Sequence, residues 1–228
     1  MSTKSASRWD SLVHAYQKLS TTNVSDALDR LQIDGAPRGI LPLWSGCPKV
    51  VGRAMTMKLA AEGSTSPVVG TLGTITSARP GDVLVIDHGG TMDVNSWGGV
   101  ATFTAVHYGI VGVIIDGVTR DIDEMKTQEF PVFGKGIIQQ SIRGRCSFAG
   151  HRVEVQLGGV RVRPGDLVMG DDNGVVVVPQ ERISEALKIA ETLAETEERI
   201  KAWIAAGVNP VEAHERVKYD EMTEAAES

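Results

Sequence analysis

The stretch that most constrains the fold is residues 111–125, VGVIIDGVTRDIDEM. Five of its first six residues are aliphatic or glycine, which is typical of a strand buried in a core. The chain then turns polar at once, with Arg120 beside Asp121 and two more acids close behind. A buried strand that ends in charged residues predicts that its end lies at the edge of the core, where a functional site can form.

The remaining pattern alternates between helical and extended segments and predicts an α/β sandwich whose sheet is not purely parallel. Thr22 or Asn23 is expected to cap the second helix. The predicted helices cover 9–19, 24–32, 70–77, 98–108 and 180–206, and the predicted strands cover 48–60, 79–87, 111–116, 153–157, 160–162, 166–169 and 174–179. Residues 208–228 have little apolar content and are expected to form a helical arm on a neighbouring subunit or a frayed tail.

One short sequence occurs twice, as RPGDVLVID at 79–87 and RPGDLVMGD at 163–171. Both copies are Arg-Pro-Gly-Asp turns that lead into a strand. The repetition has two interpretations, two related halves of a sheet or one common type of turn.

Charge and cysteine content exclude several classes of protein. The net charge of −6 argues against a nucleic-acid-binding surface as the main function. Cys47 and Cys146 do not form a CxxC pair or a Cys/His pattern, so neither a disulfide framework nor a zinc site is expected. The beginning of the chain lacks the apolar region of a secretory signal, and no apolar run is long enough to span a membrane. We therefore expect a cytoplasmic protein without membrane contact.

Residues 93–109, DVNSWGGVATFTAVHYG, predict a helix whose first turn carries almost no side chains. Asn95 or Ser96 is expected to cap it, and Gly98 and Gly99 leave its start bare. A helix start offers unpaired N–H groups and a partial positive charge, so a carboxylate or phosphate could bind there. The alternative is that two small residues allow close packing of helix and strand.

Three residues near the predicted strand ends have both a functional and a structural interpretation. Arg120 suits carboxylate or enolate oxygens and Asp121 suits a hard cation such as Mg²⁺. Alternatively, Asp121 caps a helix that starts at Ile122 while Arg120 forms a surface ion pair. His88 is either an acid/base group or a polar loop residue, and its place in a glycine-rich turn favours the loop.

Taken together, these segments resemble the RraA-like family, which includes metal-dependent class II pyruvate aldolases acting on 4-hydroxy-4-methyl-2-oxoglutarate and 4-carboxy-4-hydroxy-2-oxoadipate. The resemblance covers roughly residues 22–207. It rests on VSDALD at 24–29, GDVLVID at 81–87, GGVATFTAVHYGIVGVIIDGVTRDIDE at 98–124, PVFGKG at 131–136 and VRVRPGDLVMGDDNGVVVVP at 160–179. It implies one domain over 1–207 with an αββα sandwich similar to the swivelling phosphohistidine domain, and a homotrimer or homohexamer with sites between subunits.

The resemblance also implies roles for individual residues. Backbone N–H groups at the helix start, here Gly98, Gly99, Val100 and Ala101, would hold the carboxylate of a small 2-oxo acid. Arg120 would contact the oxygen that becomes the enolate, and Asp121 would ligate a divalent metal, Mg²⁺ or Mn²⁺. Glu198 of a neighbouring subunit would contact water on that metal. The implied activity is aldol cleavage of a 4-hydroxy-2-oxo acid or decarboxylation of oxaloacetate.

This sequence departs from the aldolase pattern at two positions. The aldolases carry Asp-x20-Arg-Asp, whereas the residue 21 positions before Arg120 is Gly99. Asp93, Asp116 or Glu124 are candidates to replace the missing acid. His88 stands where the family usually has a small residue. Two other functions therefore stay open, a protein that binds and regulates a ribonuclease, as the name-giving family member does, and a related enolate-forming metal enzyme such as a dehydratase.

Overall fold

The computed structural model describes residues 2–217, with side chains from residue 8 onward. The helices are α1 Ser2–Tyr16, α2 Thr21–Arg30, α3 Pro67–Ser77, α4 Gly99–His107, α5 Ile122–Thr127, α6 Ile183–Ala205 and α7 Pro210–Glu215, with a 3-10 turn at Gln180–Arg182. The strands are β1 Leu41–Pro42, β2 Val50–Ala60, β3 Asp82–Trp97, β4 Gly112–Thr119, β5 Val132–Gly134, β6 Gly136–Ile137, β7 Ser147–His151, β8 Val155–Leu157, β9 Val160–Val162, β10 Leu167–Asp171 and β11 Gly174–Val178.

The chain divides into two compact units. One is formed by residues 36–180, and the other joins residues 1–35 to residues 181–228. The expected single domain over 1–207 thus contains two units, and its boundaries stay a prediction. Of the expected C-terminal arm, residues 210–215 form α7, and residues 218–228 lie outside the described part of the chain.

The larger unit is built on a mixed sheet with the strand order β1-β5-β4-β3-β2-β10-β11. Its centre is parallel, since β2 pairs with β3, β3 with β4 and β4 with β5 in that sense. The flanking strands β1 and β10 are antiparallel to their neighbours. The predicted α/β fold with a mixed sheet and a long C-terminal helix is confirmed.

Alternate residues of β3 serve the two faces of this sheet. Val83 and Val85 belong to one buried cluster, which also contains the valines of the β8–β9 hairpin. Leu84 and Ile86 belong to the other, together with residues of α3, α4 and α5. Because successive side chains of a strand point to opposite faces, a run of apolar residues is needed where both faces are covered.

Within the smaller unit, α6 packs against the N-terminal helices. The Tyr16 hydroxyl donates a hydrogen bond to the Ile183 carbonyl at 2.8 Å, and the Asn23 amide donates to Glu197 at 3.1 Å. The predicted cap of α2 was wrong by two or three residues. Ser20 caps the helix, and Asn23 is the reciprocal partner in a capping box with it.

Within the described residues, no helix is both long enough and apolar enough to cross a membrane.

The third strand runs much further than its sequence predicts. The glycines at 89 and 90 were expected to end it, but β3 continues to Trp97 with three irregularities in its pairing with β4. Both glycines have positive φ, 63° and 71°, so they form a bulge in the strand instead of a terminal turn. The continuation brings residues 95–97 to the end of β4.

The repeated Arg-Pro-Gly-Asp segments form the same turn. In each copy the Arg N–H donates to the Asp carboxylate, at 2.9 Å for Arg79 to Asp82 and 2.7 Å for Arg163 to Asp166. In each copy the glycine has a positive φ. The strands that follow pair with β2 in opposite directions, which favours a common turn over two related halves.

Alanine is expected to have opposite effects at two glycines, Gly81 in the turn and Gly73 in helix α3. Gly81 has φ of 85° and Gly73 lies in α3, and an added Cβ would meet no described atom within 4 Å at either site. Gly81→Ala should lower the free energy of unfolding by about 1 to 2 kcal/mol, because a side chain disfavours left-handed backbone. Gly73→Ala, the matched control, should raise it by about 1 kcal/mol because alanine favours helix. Urea unfolding measures both, and equal effects would contradict the turn assignment.

Candidate functional site

A cavity of about 100 Å³ opens at the ends of β3 and β4 in the larger unit. It contains all five residues predicted for substrate binding or catalysis, and Asp121 as well. It lies between α3, the start of α4 and the segment 141–143. The residues that line it include Asn95, Ser96, Trp97, Gly98, Gly99, Val100, Ala101, Arg120, Asp121 and Arg143.

The start of α4 is bare, but its cap differs from the prediction. Gly98 is the N-cap and makes no side-chain hydrogen bond, so the prediction of Asn95 or Ser96 was wrong. The Gly99 N–H donates to the Asp121 carboxylate at 2.8 Å. Val100 and Ala101 follow in the first turn, where N–H groups have no partner within the helix. These two N–H groups are the ones that an anionic ligand can use.

The position of Asp121 differs from the structural alternative, in which its side chain caps α5. It stands at the N-cap position of α5, but its side chain makes no capping bond there and instead caps α4 through Gly99. Its backbone is left-handed, with φ of 60°, which is uncommon for a residue other than glycine. The turn between β4 and α5 therefore orients this carboxylate toward the cavity.

Arg120 lies beside that carboxylate at the mouth of the same cavity. Its Nε is 3.4 Å from Asp121 Oδ2, and its side chain is about one-third exposed. Nε makes no hydrogen bond within the described residues. The guanidinium keeps further donors for a ligand oxygen, because one weak ion pair occupies only one edge of the fork.

The space beside Gly99 is filled by another acid. The three atoms nearest to the position of a Cβ on Gly99 are the carboxyl atoms of Glu124, all within 2.5 Å. Asp116, in contrast, is buried against Lys135 at 2.6 Å and accepts the Gly158 N–H, and it does not line the cavity. Asp93 is exposed on β3 and does not line it either. None of the three candidate replacements lines the cavity, but Glu124, an exposed residue, is the one of the three whose carboxylate lies where a residue 99 side chain would be.

Trp97 fixes the position of these groups. Its carbonyl accepts hydrogen bonds from the Thr119 hydroxyl at 3.0 Å and the Arg120 N–H at 3.2 Å. Its indole N–H donates to the Thr102 hydroxyl in α4 at 2.8 Å. One buried residue thus ties the end of β3 to the end of β4 and to α4.

His88 is buried inside β3, so the prediction of a loop residue was wrong. Its Nδ1 lies 2.7 Å from the Ser96 hydroxyl, which lines the cavity. Burial lowers the pKa of His88 below its ordinary value, although the charge of Asp87 acts in the opposite direction. The ring therefore holds Ser96 in place as a neutral group near pH 7.

The site provides few metal ligands of its own. The described residues contain no group of three or more His, Cys, Asp or Glu side chains that could hold a metal ion. The carboxylates of Asp121 and Glu124 nevertheless meet at Gly99. Mg²⁺ is commonly bound by one or two carboxylates with water and substrate oxygens, so these residues fit it. Glu198 lies in α6 of the smaller unit, exposed and paired with Lys201 at 2.8 Å, and its expected role across a subunit boundary stays a prediction.

Fold and cavity together define a mixed α/β protein with a bare helix start and an Arg-Asp pair beside it. Residues 21–177 match the RraA-like family, described as Aldolase/RraA, and the chain belongs to that family. A Halalkalibacterium halodurans protein named "Putative 4-hydroxy-4-methyl-2-oxoglutarate aldolase" is 32% identical over 199 residues, which are 87% of this chain and 91% of that protein. The relationship supports a lyase-type enzyme.

Other relatives show how broad the family is. Legionella pneumophila protein DlpA is 33% identical over 216 residues, 93% of this chain, and this chain spans only about a third (35%) of its length. A solved Pseudomonas syringae structure has a TM-score of 0.85 at 33% identity and covers 91% of this chain and 94% of its own. Streptomyces coelicolor RraAS2, described as an unusual member of the RNase ES inhibitor RraA protein family, has a TM-score of 0.74 at 27% identity, with 82% and 95% covered.

Proposed function

We propose that the protein is a divalent-metal-dependent lyase that forms a pyruvate enolate, by aldol cleavage of a 4-hydroxy-2-oxo acid, by decarboxylation of oxaloacetate, or by both. The observation that carries this proposal is the meeting of Arg120, Asp121 and Glu124 at the bare start of α4. Such a combination offers donors to an anion and a carboxylate to a cation in one small cavity, with the second carboxylate, that of Glu124, beside Gly99. A protein that only binds a ribonuclease has no evident need for it.

The residues of the chain have separate tasks in this reaction. The N–H groups of Val100 and Ala101 bind the carboxylate of the 2-oxo acid. The Arg120 guanidinium lies against the C2 oxygen and stabilises the negative charge that develops when the bond between C3 and C4 breaks. In aldol cleavage, Glu124 takes up the proton of the C4 hydroxyl group as the C3–C4 bond breaks and C4 becomes a carbonyl carbon, and return of this proton to C3 of the enolate gives pyruvate.

A divalent ion would be held by the carboxylate of Asp121 together with water and substrate oxygens, which leaves Glu124 free to accept a proton. When bound, the ion supplies positive charge to the oxygens of the 2-oxo acid. Asp121 keeps its position because Gly99 donates to it and because Arg120 lies at 3.4 Å. The absence of a side chain at Gly98 is required here, since a Cβ would lie 2.7 Å from Asp121 Oδ2.

We also propose that the protein is a homotrimer or homohexamer. Helix α4 exposes an apolar face, with Val100 72%, Phe103 67% and Val106 45% exposed. Contiguous apolar side chains of this kind mark interaction surfaces. Val100 belongs both to this face and to the cavity, so a second copy placed there would form part of the wall of the site.

The lyase proposal predicts pyruvate release that depends on Mg²⁺ or Mn²⁺ and stops with EDTA. Asp121→Asn should lower kcat/KM by about 100-fold or more, because the cation loses a charged ligand. Asparagine tolerates left-handed backbone and still accepts from Gly99, so stability should change little. Asp123→Asn, an exposed acid of the same helix, is the control. The proposal fails if no 4-hydroxy-2-oxo acid or oxaloacetate yields pyruvate, and a product without pyruvate would point to a dehydratase.

The position of Glu124 predicts that a carboxylate at residue 99 can replace the carboxylate of Glu124. Glu124→Ala should lower kcat/KM by about 100-fold or more, as expected for loss of a general base. Gly99→Asp in that background should recover at least about tenfold, since the new carboxylate takes the vacated space. Gly99→Asp in the wild-type background should give no increase in kcat/KM, because its side chain collides with Glu124. A double variant no better than Glu124→Ala would count against the assignment.

The α4 face predicts a defined oligomer. Light scattering coupled to size exclusion should give the mass of three or six chains, and Phe103→Glu should lower it by placing charge in an apolar contact. Phe103→Leu keeps the surface apolar and should leave the mass unchanged. A monomeric wild type would contradict the proposed assembly.

A further inference from the structure

Asn95 is a buried polar residue in the cavity wall whose hydrogen bonding is incomplete. Asn95 is only 3% exposed, and it lines the cavity with Ser96 and Trp97. The Oδ1 atom accepts no hydrogen bond within the described residues. Buried polar atoms nearly always have partners, so an acceptor without one beside a cavity points to a donor that arrives with a ligand.

The orientation of this amide is fixed by its other end. Asn95 Nδ2 donates to the Trp97 carbonyl at 3.0 Å. A carbonyl can only accept, so the atom that faces Trp97 must be the nitrogen and the remaining atom must be the oxygen. The unpartnered group is therefore an acceptor, and only a hydroxyl or N–H group can satisfy it.

The strand itself is distorted at this residue. The pairing of β3 with β4 is irregular on both sides of Asn95, between Thr91 and Asn95 and again between Asn95 and Trp97. Bulges of this kind change the direction of a side chain and are frequent beside functional sites. Ser96, the next residue, also lines the cavity, and its hydroxyl lies 2.7 Å from His88 Nδ1.

We propose that Asn95 Oδ1 accepts a hydrogen bond from a hydroxyl group of the bound 2-oxo acid, and so selects hydroxylated acids over those without a hydroxyl group. This inference rests on the proposed function and assigns a specificity-determining residue to the same cavity. The start of α4 and Arg120 offer donors that suit carboxylate and carbonyl oxygens, and the Asp121 carboxylate in the same lining already accepts from Gly99 and lies against Arg120. Asn95 supplies a neutral acceptor without a partner among the described residues.

The hydrogen bond belongs to the bound acid and not to the cleavage step. The hydroxyl proton leaves during cleavage, so its bond to Asn95 is exchanged for one to the base. Loss of Asn95 should therefore raise KM and Kd for hydroxylated acids without lowering kcat, whereas loss of Glu124 lowers kcat.

The test is equilibrium binding of a matched pair of acids, 4-hydroxy-2-oxoglutarate and 2-oxoglutarate, by titration calorimetry with and without Mg²⁺. Wild type should bind the hydroxylated acid about tenfold or more tighter, and Asn95→Leu should abolish this preference while binding 2-oxoglutarate within about threefold of wild type. Asn95→Ala is the second variant should leucine disturb folding, which circular dichroism detects. Thr71→Val is the control, since its hydroxyl lines the cavity but already donates to the Pro67 carbonyl at 2.8 Å and should keep the preference.

A wild type without preference, or Asn95 variants that weaken both acids equally, would overturn the inference. Pyruvate release from the hydroxylated acid in the Mg²⁺ samples of wild type reports separately on the proposed lyase. A protein that prefers the hydroxylated acid without cleaving it would keep the role of Asn95 and remove the proposed reaction.

Discussion

The carbonyl of Trp97 is the acceptor on which the arrangement of the site depends. It receives the Arg120 N–H, the Thr119 hydroxyl and the Asn95 amide, all within 3.2 Å. These donors come from two strands, and the indole N–H of the same residue adds the first turn of α4 through Thr102. Because buried hydrogen bonds are costly to leave unmade, this junction fixes the relative positions of Arg120, the Asn95 amide and the start of α4.

The two glycines at the start of α4 serve the carboxylates of the chain itself as well as any ligand. A Cβ at 98 would lie 2.7 Å from Asp121 Oδ2, and a Cβ at 99 would fall among the carboxyl atoms of Glu124. The sequence left open whether these glycines admit a ligand or allow close packing. The structure adds a third reason, since they make room for two acids one turn apart on α5. Negative charge near the positive end of α4 also stabilises that end.

Much of the fold was predictable because its signals are local. The apolar runs at 82–87 and 111–116, the period of α6 and the repeated Arg-Pro-Gly-Asp turn all depend on neighbouring residues. The short strands β1, β5, β6 and β7 were missed, because two to five residues carry too little pattern. The continuation of β3 beyond Gly90 was missed because glycine normally ends a strand, and only pairing with β4 shows that it forms a bulge.

The sequence by itself determined the α/β class, the helix start at Gly98-Gly99, the position of Arg120 and Asp121 after a buried strand, and the resemblance that family comparison confirmed. Only the tertiary structure decided which of Asp93, Asp116 and Glu124 stands at Gly99, that His88 is buried against Ser96, and that Asn95 has an acceptor without a donor. The reason is physical. Motifs and periodicity are properties of neighbours along the chain, whereas the distance between two side chains and the burial of one atom depend on how distant segments pack.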